Sequence, residues 1–376
     1  MVVLLRSTVV NLIVIIAIAI AAAFSTAARA SAALVFAPSS VRSVVRYSWS
    51  TSFSMSSSAA GSSGEGDGEG GDKPLFVDIG ANLLSEMYQG TYRGKERHEA
   101  DLDDVLKRAW AGGLDRIIVT GGTLAESREA LVLARTDSRL FSTVGVHPTR
   151  CGEFGDTDAD RDAHVEALAE LAEEGMRDGT VVALGELGMD YARTSFCDVE
   201  TQRRGFLAQL TVAERTGLPL FLHNRETGFD LLDLLTENRS RFSGGVVHSF
   251  DDTADLAVVI MDAGLYVGIN GCSLKTAENL DVVRTIPLDR MLLETDCPWC
   301  DVRASHAGSN HVRTAFPTKQ EKKWERGSCI KSRYEPVHII QVAEVVAGAK
   351  GVEVSVVAEA SRRNAYKLFG GLQKKH

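Results

Sequence analysis

Six short apolar runs in this 376-residue chain each end on an acidic or imidazole side chain. They are Phe76-Val77-Asp78, Val144-Gly145-Val146-His147, Ala183-Leu184-Gly185-Glu186, Leu220-Phe221-Leu222-His223, Gly245-Val246-Val247-His248 and Leu292-Leu293-Glu294-Thr295-Asp296. A carboxylate that closes a buried strand is costly unless it is paired or metal-bound. Glu186, His223, His248 and Asp296 together make the set a hydrolytic divalent site needs. Imidazoles and carboxylates hold Zn, Mn or Mg and leave open positions for water. The expected cofactor is therefore one or two divalent ions. Each residue alone has a plainer reading: Glu186 as a salt bridge to a loop arginine, a strand-end histidine as a satisfied rim residue. Two histidines closing consecutive strands, however, put both imidazoles on one rim. Strand alternation gives Glu294 the same facing as Asp296, with Asp296 nearer the mouth. His147 is a candidate for contacting substrate phosphate or tuning a bound water, against a purely structural role. Asp78 and Asn82, at the end of the first run, either hold metal weakly or stabilise the turn.

Such residues need a scaffold that delivers them to one edge. Apolar runs at 75–79, 116–120, 141–146, 181–186, 218–223, 245–249, 265–269 and 291–296 are rich in Val, Ile, Leu and Phe, as strands buried on both faces are. Between them lie stretches such as 160–178, 199–216 and 228–239, with apolar residues three and four apart. Gly112-Gly113, Gly217 and Gly264 stand where helices stop. About eight strand–helix units predict a TIM-type (α/β)8 barrel, a single catalytic domain over 73–371, with its site at the C-terminal ends of the strands. A doubly wound open sheet is the alternative, but no Gly-x-Gly-x-x-Gly turn follows the first strand.

The six cysteines are scattered through a large domain, which reads as reduced structural thiols rather than a disulfide framework. Cys297-Pro298-Trp299-Cys300 has the spacing of a redox or zinc pair, without a thioredoxin-type unit around it. The net charge is −9. Residues 1–60 hold Arg6, Arg29, Arg42 and Arg46 and no acid, so the acidic excess falls on the rest. Bulk electrostatics therefore do not draw this chain to nucleic acid. The uncharged stretch 7–28, followed by small residues, reads as a signal-like segment over 1–30. Residues 31–72 read as transit-like, then as a flexible Ser/Gly/acidic linker. A bipartite leader of this kind points to an organelle, a plastid first. Mitochondrial import, secretion, or a cytosolic form started at Met55 are the alternatives. No membrane association of the mature domain and no stable protein partner are expected.

Here the chain resembles the TatD family of metal-dependent deoxyribonucleases, within the amidohydrolase-like barrels. The resemblance runs over about residues 74–370 and is strongest to the eukaryotic TatD domain-containing type. It rests on FVDIGANL, VGVHPTRC, ALGELGMDYAR, LPLFLHNRE, VVHSFDD, LLETDCPWC and the tail SNHVRTAFPTKQEKKWERG…YEPVHI, in that order. It implies that Glu186, His223, His248 and Asp296 are metal ligands, with Glu186 bridging if two ions bind. It also implies hydrolysis of DNA phosphodiesters, by 3′-to-5′ trimming, endonucleolytic cutting or both. Many relatives carry a His-x-His pair on the first strand; here Asp78, Gly80 and Asn82 occupy that region.

In the expected mechanism Asp296 and Glu186 are catalytic. Asp296 orients or deprotonates the attacking water, while Arg225 and His147 meet the non-bridging phosphate oxygens. Residues 303–333 add eight Lys or Arg against Glu321 and Glu325. That tail leaves the last strand on the catalytic face, so Arg313 and Lys323 are candidates to track a DNA backbone, and Trp324 to stack a base. Two rival functions stand beside the nuclease. One is a barrel hydrolase acting on an amide or ester, such as an aminoacyl-tRNA. The other is an inactive nucleic-acid-binding relative.

Overall fold

The computed structural model describes residues 73–373. The signal-like segment, the transit-like linker and Met55 lie outside the described residues. Eight strands run parallel and pair in sequence order: β1 (Phe76–Ala81), β2 (Leu114–Val119), β3 (Leu140–Val144), β4 (Val181–Asp190), β5 (Leu220–Arg225), β6 (Gly245–Val247), β7 (Tyr266–Ile269) and β8 (Met291–Leu293). The ring is completed just beyond β8. There the Asp296 amide donates to the Gly80 carbonyl at 2.9 Å and the Asn82 amide to the Cys297 carbonyl at 2.8 Å. The open-sheet alternative is thereby excluded.

A helix follows each of the first seven strands: α1 (Leu102–Gly112), α2 (Leu124–Ala134), α3 (Asp158–Arg177), α4 (Val199–Thr216), α5 (Asp230–Glu237), α6 (Ala254–Asp262) and α7 (Ala277–Thr285). A tail with little regular structure then leads to α8 (Ile339–Lys350) and α9 (Val354–Leu368). Side-chain caps set several of these starts. Thr123, Thr157, Asp198, Thr253 and Thr276 each accept from an amide three residues on, satisfying a donor the helix leaves unpaired. Gly113, Gly217 and Gly264 take positive φ where α1, α4 and α6 stop.

Two apolar layers hold the barrel. The larger lies between strands and helices and includes Val119, Leu184, Leu222, Leu256 and Val342. The smaller fills the barrel interior with Val77, Ile79, Ile118, Phe141, Phe221, Val246 and Leu292, and Phe369 and Leu372 pack onto it from the C-terminus. Truncating a fully buried ring such as Phe221 to alanine would cost about 3–5 kcal/mol. No helix of the described residues is long and apolar enough to cross a membrane.

β4 departs from expectation. It runs to Asp190, four residues past the expected end at Glu186, with a register shift against β5 between Gly185 and Leu187. The glycines flanking Glu186 do more than leave space beside its carboxylate. A Cβ on Gly185 would lie 2.3 Å from the Phe221 carbonyl oxygen, and one on Gly188 2.0 Å from that of His223. Both positions need glycine so that β4 can approach β5 and so bring Glu186 beside His223.

Candidate metal and substrate site

The strand ends open into a cavity of about 570 Å³. Glu186 from β4, His223 from β5, and His248 and Asp296 from just beyond β6 and β8 all line it. One atom organises its floor. Glu186 Oε1 lies 2.6 Å from His223 Nδ1, 2.8 Å from His248 Nε2 and 3.5 Å from His147 Nε2. The donor atoms of His147, Glu186 and His223 all fall within 4.8 Å of one another, so this cluster could hold a metal ion.

Burial and charge act against each other here. Burial would push the Glu186 carboxyl up, but His248, His147 and His223 hold it well below the ordinary range. Burial likewise opposes charge on His248, and the Glu186 and Glu294 carboxylates outweigh it, holding that imidazole well above its usual value. His223 is raised against burial by Asp190 and Glu186. Burial dominates at His147, which falls to about 4, and at Asp296, whose carboxyl is pushed up to about 6.

His147 is a special case. Its Nδ1 accepts from the Thr149 amide at 3.1 Å and so caps the short 3-10 helix Pro148–Phe154. A neutral ring that accepts at Nδ1 carries its proton on Nε2. The cavity-facing nitrogen is therefore an N–H donor, which suits a phosphate oxygen better than a metal ion.

Asp296 sits beyond the end of β8, with φ of +49°, so simple alternation from Glu294 does not apply to it. Its Oδ1 accepts from Asn82 Nδ2 at 2.8 Å and its Oδ2 from the Cys300 thiol at 3.2 Å. Glu294 lies deeper and fully buried; its Oε1 accepts from the Ser249 amide at 2.5 Å and from Asn270 Nδ2 at 3.1 Å. Asp78 is also fully buried, accepting from the Thr295 amide at 2.9 Å and the Thr295 hydroxyl at 2.5 Å. It pins the segment after β8 and does not line the cavity. Asn82 lines the cavity and bridges Asp296 to the Thr120 hydroxyl, which donates to its amide oxygen at 2.7 Å.

Of the expected substrate contacts, His147 and Arg225 line the cavity, whereas Arg313, Lys323 and Trp324 do not. Arg313 and Lys323 are exposed elsewhere on the tail. Trp324 stacks on His98 with ring centroids 5.2 Å apart, and its indole N–H donates to Asp101 at 3.2 Å. The tail's basic excess is also partly spent inside the protein. Arg333 is buried between Asp101 and Glu335, and Arg326 pairs with Glu99 and Asp104.

Residues that the sequence reading passed over complete the cavity. Arg150, Arg193 and Lys275 line it with Arg225, and so does Trp299, which is 54% exposed. Trp299 stood in view inside Cys-Pro-Trp-Cys, one turn from Asp296. Asp190, fully buried at the end of β4, reaches His223 Nε2 at 3.2 Å. Its signal was the second acid of Gly185-Glu186-Leu187-Gly188-Met189-Asp190.

Residues 77–370 match the family model described as TatD related DNase. Over 297 residues the chain is 41% identical to the deoxyribonuclease Tat-D of Schizosaccharomyces pombe, covering 78% of this chain and 95% of that one. Over 296 residues it is 30% identical to the 3′-5′ ssDNA/RNA exonuclease TatD of Escherichia coli K12, covering 78% and 98%. The crystal structure of a hydrolase TatD family protein from Entamoeba histolytica is 33% identical, with a TM-score of 0.73, covering 79% of this chain and 98% of that one.

Proposed function

The chain belongs to the TatD-related DNase family, and from that premise we propose that it is a divalent-metal-dependent deoxyribonuclease. The observation that carries this reading is the Glu186 carboxylate oxygen with three imidazole nitrogens around it, 2.6 to 3.5 Å away, beneath a cationic rim.

The donors fit a divalent ion. Glu186, Asp190, Glu294 and Asp296 crowd around His223 and His248, an acid-rich setting that a dication would balance. Glu186, His223, His248 and Asp296 would hold it, and Mn, Zn and Mg all accept such donors. The chemistry an ion supplies there is neutralisation of phosphodiester charge and a lowered pKa for water. Because Asp78 is committed to Thr295, the first strand offers little to a second ion, and we favour one tightly held ion.

The chain's own groups divide the remaining work. Asp296, whose carboxylate lines the cavity and is held by Asn82 and Cys300, takes a proton from the attacking water. His147 donates from Nε2 to a non-bridging phosphate oxygen. Arg150, Arg193, Arg225 and Lys275 draw the phosphates of the strand into the cavity. Trp299 offers an exposed aromatic face on which an unpaired base can stack. The arrangement suits a single-stranded end better than a stacked duplex.

The test is hydrolysis of single-stranded and duplex DNA by the purified chain with Mg, Mn or Zn, against a chelated control and Asp296→Asn. Cleavage that persists in chelator or in the variant would refute the mechanism, and hydrolysis of amides but not DNA would refute the activity. For delivery, we propose that residues 1–72 act as a bipartite organellar leader, plastid-directed. A fluorescent fusion of those residues that stays cytosolic would exclude it.

A further inference from the structure

We propose that Cys272 and Cys300 form a reversible disulfide in the wall of the catalytic cavity, made by exchange with a small-molecule disulfide. Their Sγ atoms lie 2.7 Å apart, whereas a disulfide bond measures about 2.05 Å, so closure needs movement of less than an ångström. The approach is built into the main chain. Gly271 precedes Cys272, and a Cβ there would sit 1.9 Å from the Cys300 carbonyl oxygen. Only glycine lets the loop after β7 lie against the loop after β8 in this way.

The spacing Cys297-x-x-Cys300 suggests a different pair, and burial rules it out. Cys297 is fully buried, as are Cys151 and Cys329, while Cys272 and Cys300 are both part-exposed and line the cavity. A dissolved disulfide therefore has access to this pair. Cys272 lines the cavity beside the Lys275 ammonium, whereas the Cys300 proton is engaged by Asp296, which favours Cys272 as the attacking sulfur.

The exchange balances in two steps. The Cys272 thiolate attacks one sulfur of the small disulfide, forming a mixed disulfide and expelling one thiolate. Cys300 then gives its proton to the thiolate released first and attacks the Cys272 sulfur, expelling the second thiolate, which takes a proton from solvent. Two protein thiols are oxidised and one small disulfide is reduced to two thiols. Excess dithiol reverses both steps.

The product changes the site because the Cys300 thiol donates to Asp296 Oδ2 at 3.2 Å. A disulfide sulfur has no proton to donate, so Asp296 keeps only Asn82 as a side-chain donor. Losing an outer partner of a ligating carboxylate typically lowers activity about tenfold or more. This consequence, unlike bond formation itself, rests on the nuclease reading above.

Both parts are tested on the metal-loaded full chain treated with oxidised glutathione. Peptide mapping should find Cys272 linked to Cys300. DNA hydrolysis should fall about tenfold and return with dithiothreitol. Cys300→Ser, which lacks the second nucleophile, should stop at a glutathione adduct on Cys272, and an unmodified Cys272 in that variant would overturn its role as the attacking sulfur. Failure to find the Cys272–Cys300 link in protein that circular dichroism shows to be folded would overturn the site. A mapped link with unchanged hydrolysis would overturn the coupling to Asp296. If no DNA is cut in either state, the nuclease reading fails while the mapping still decides the disulfide.

Discussion

His223 is held from both sides: Glu186 Oε1 lies 2.6 Å from its Nδ1 and Asp190 Oδ2 lies 3.2 Å from its Nε2. Asp190 is held in turn, since the Gln202 amide exchanges two hydrogen bonds with its main chain at 2.7 and 2.9 Å. A carboxylate on the far nitrogen of a ligating imidazole fixes the ring's tautomer and raises its basicity. Asp190→Asn should therefore weaken metal affinity about 10- to 100-fold while leaving the fold intact. Calorimetric titration of Mn into both proteins measures this, and equal affinities would show that Asp190 does not orient the ring.

The same pair makes metal uptake pH-dependent. Asp190 and Glu186 raise His223 against the opposing effect of burial, and Glu186 and Glu294 raise His248 in the same way. Both must be neutral to ligate, so binding expels protons and affinity climbs as pH rises. In ion-free protein the sign reverses for stability. A raised imidazole pKa favours the folded state below the ordinary value of 6.5, and the benefit fades as pH climbs through the folded value. Titrations in buffers of different ionisation enthalpy at about pH 6–7 should reveal proton release, and heats independent of buffer would contradict it.

How far the site was legible depends on the reach of each contact. His223 and His248 fall near or just past the end of an apolar strand, so strand order brings them to one rim, and Glu186 closes the apolar run that opens β4 although that strand continues to Asp190. Asp190 was hidden because the register shift near Gly185 extends β4, and bulges leave no periodic signal. Asp78 looked like a rim residue until Thr295, 217 positions away, claimed its carboxylate. The basic tail drew notice to Trp324 by composition, yet His98 and Asp101, far back in the chain, hold that ring. Contacts of that range are set by the fold and have no local pattern.

The two tryptophans can be told apart by experiment. Trp299 lines the cavity and is 54% exposed, so Trp299→Ala should raise KM for single-stranded DNA about tenfold with kcat little changed, the size of one lost base stack. Trp324→Ala should leave KM alone and instead lower stability by about 1–3 kcal/mol, through the lost stack on His98 and the Asp101 oxygen left without its indole donor. Steady-state kinetics and urea unfolding of both variants separate the roles. The reverse pattern would return the DNA contact to the tail.

Arg333 tests whether the tail is structural at its base. Its side chain is fully buried, with Nη1 and Nη2 donating to Asp101 at 2.6 and 2.7 Å and Nη2 to Glu335 at 3.0 Å. The pair ties the end of the tail to the start of α1, since Asp101 immediately precedes that helix. Arg333→Met would leave two buried carboxylates facing each other, with Arg108 at 2.9 Å from Glu335 as partial compensation. The expected loss is about 3–5 kcal/mol. Adding Asp101→Asn removes one stranded charge, so the double variant should be less destabilised than the two single losses combined. Strict additivity in urea unfolding would mean that the two residues do not couple, and that some other contact anchors the tail to the barrel.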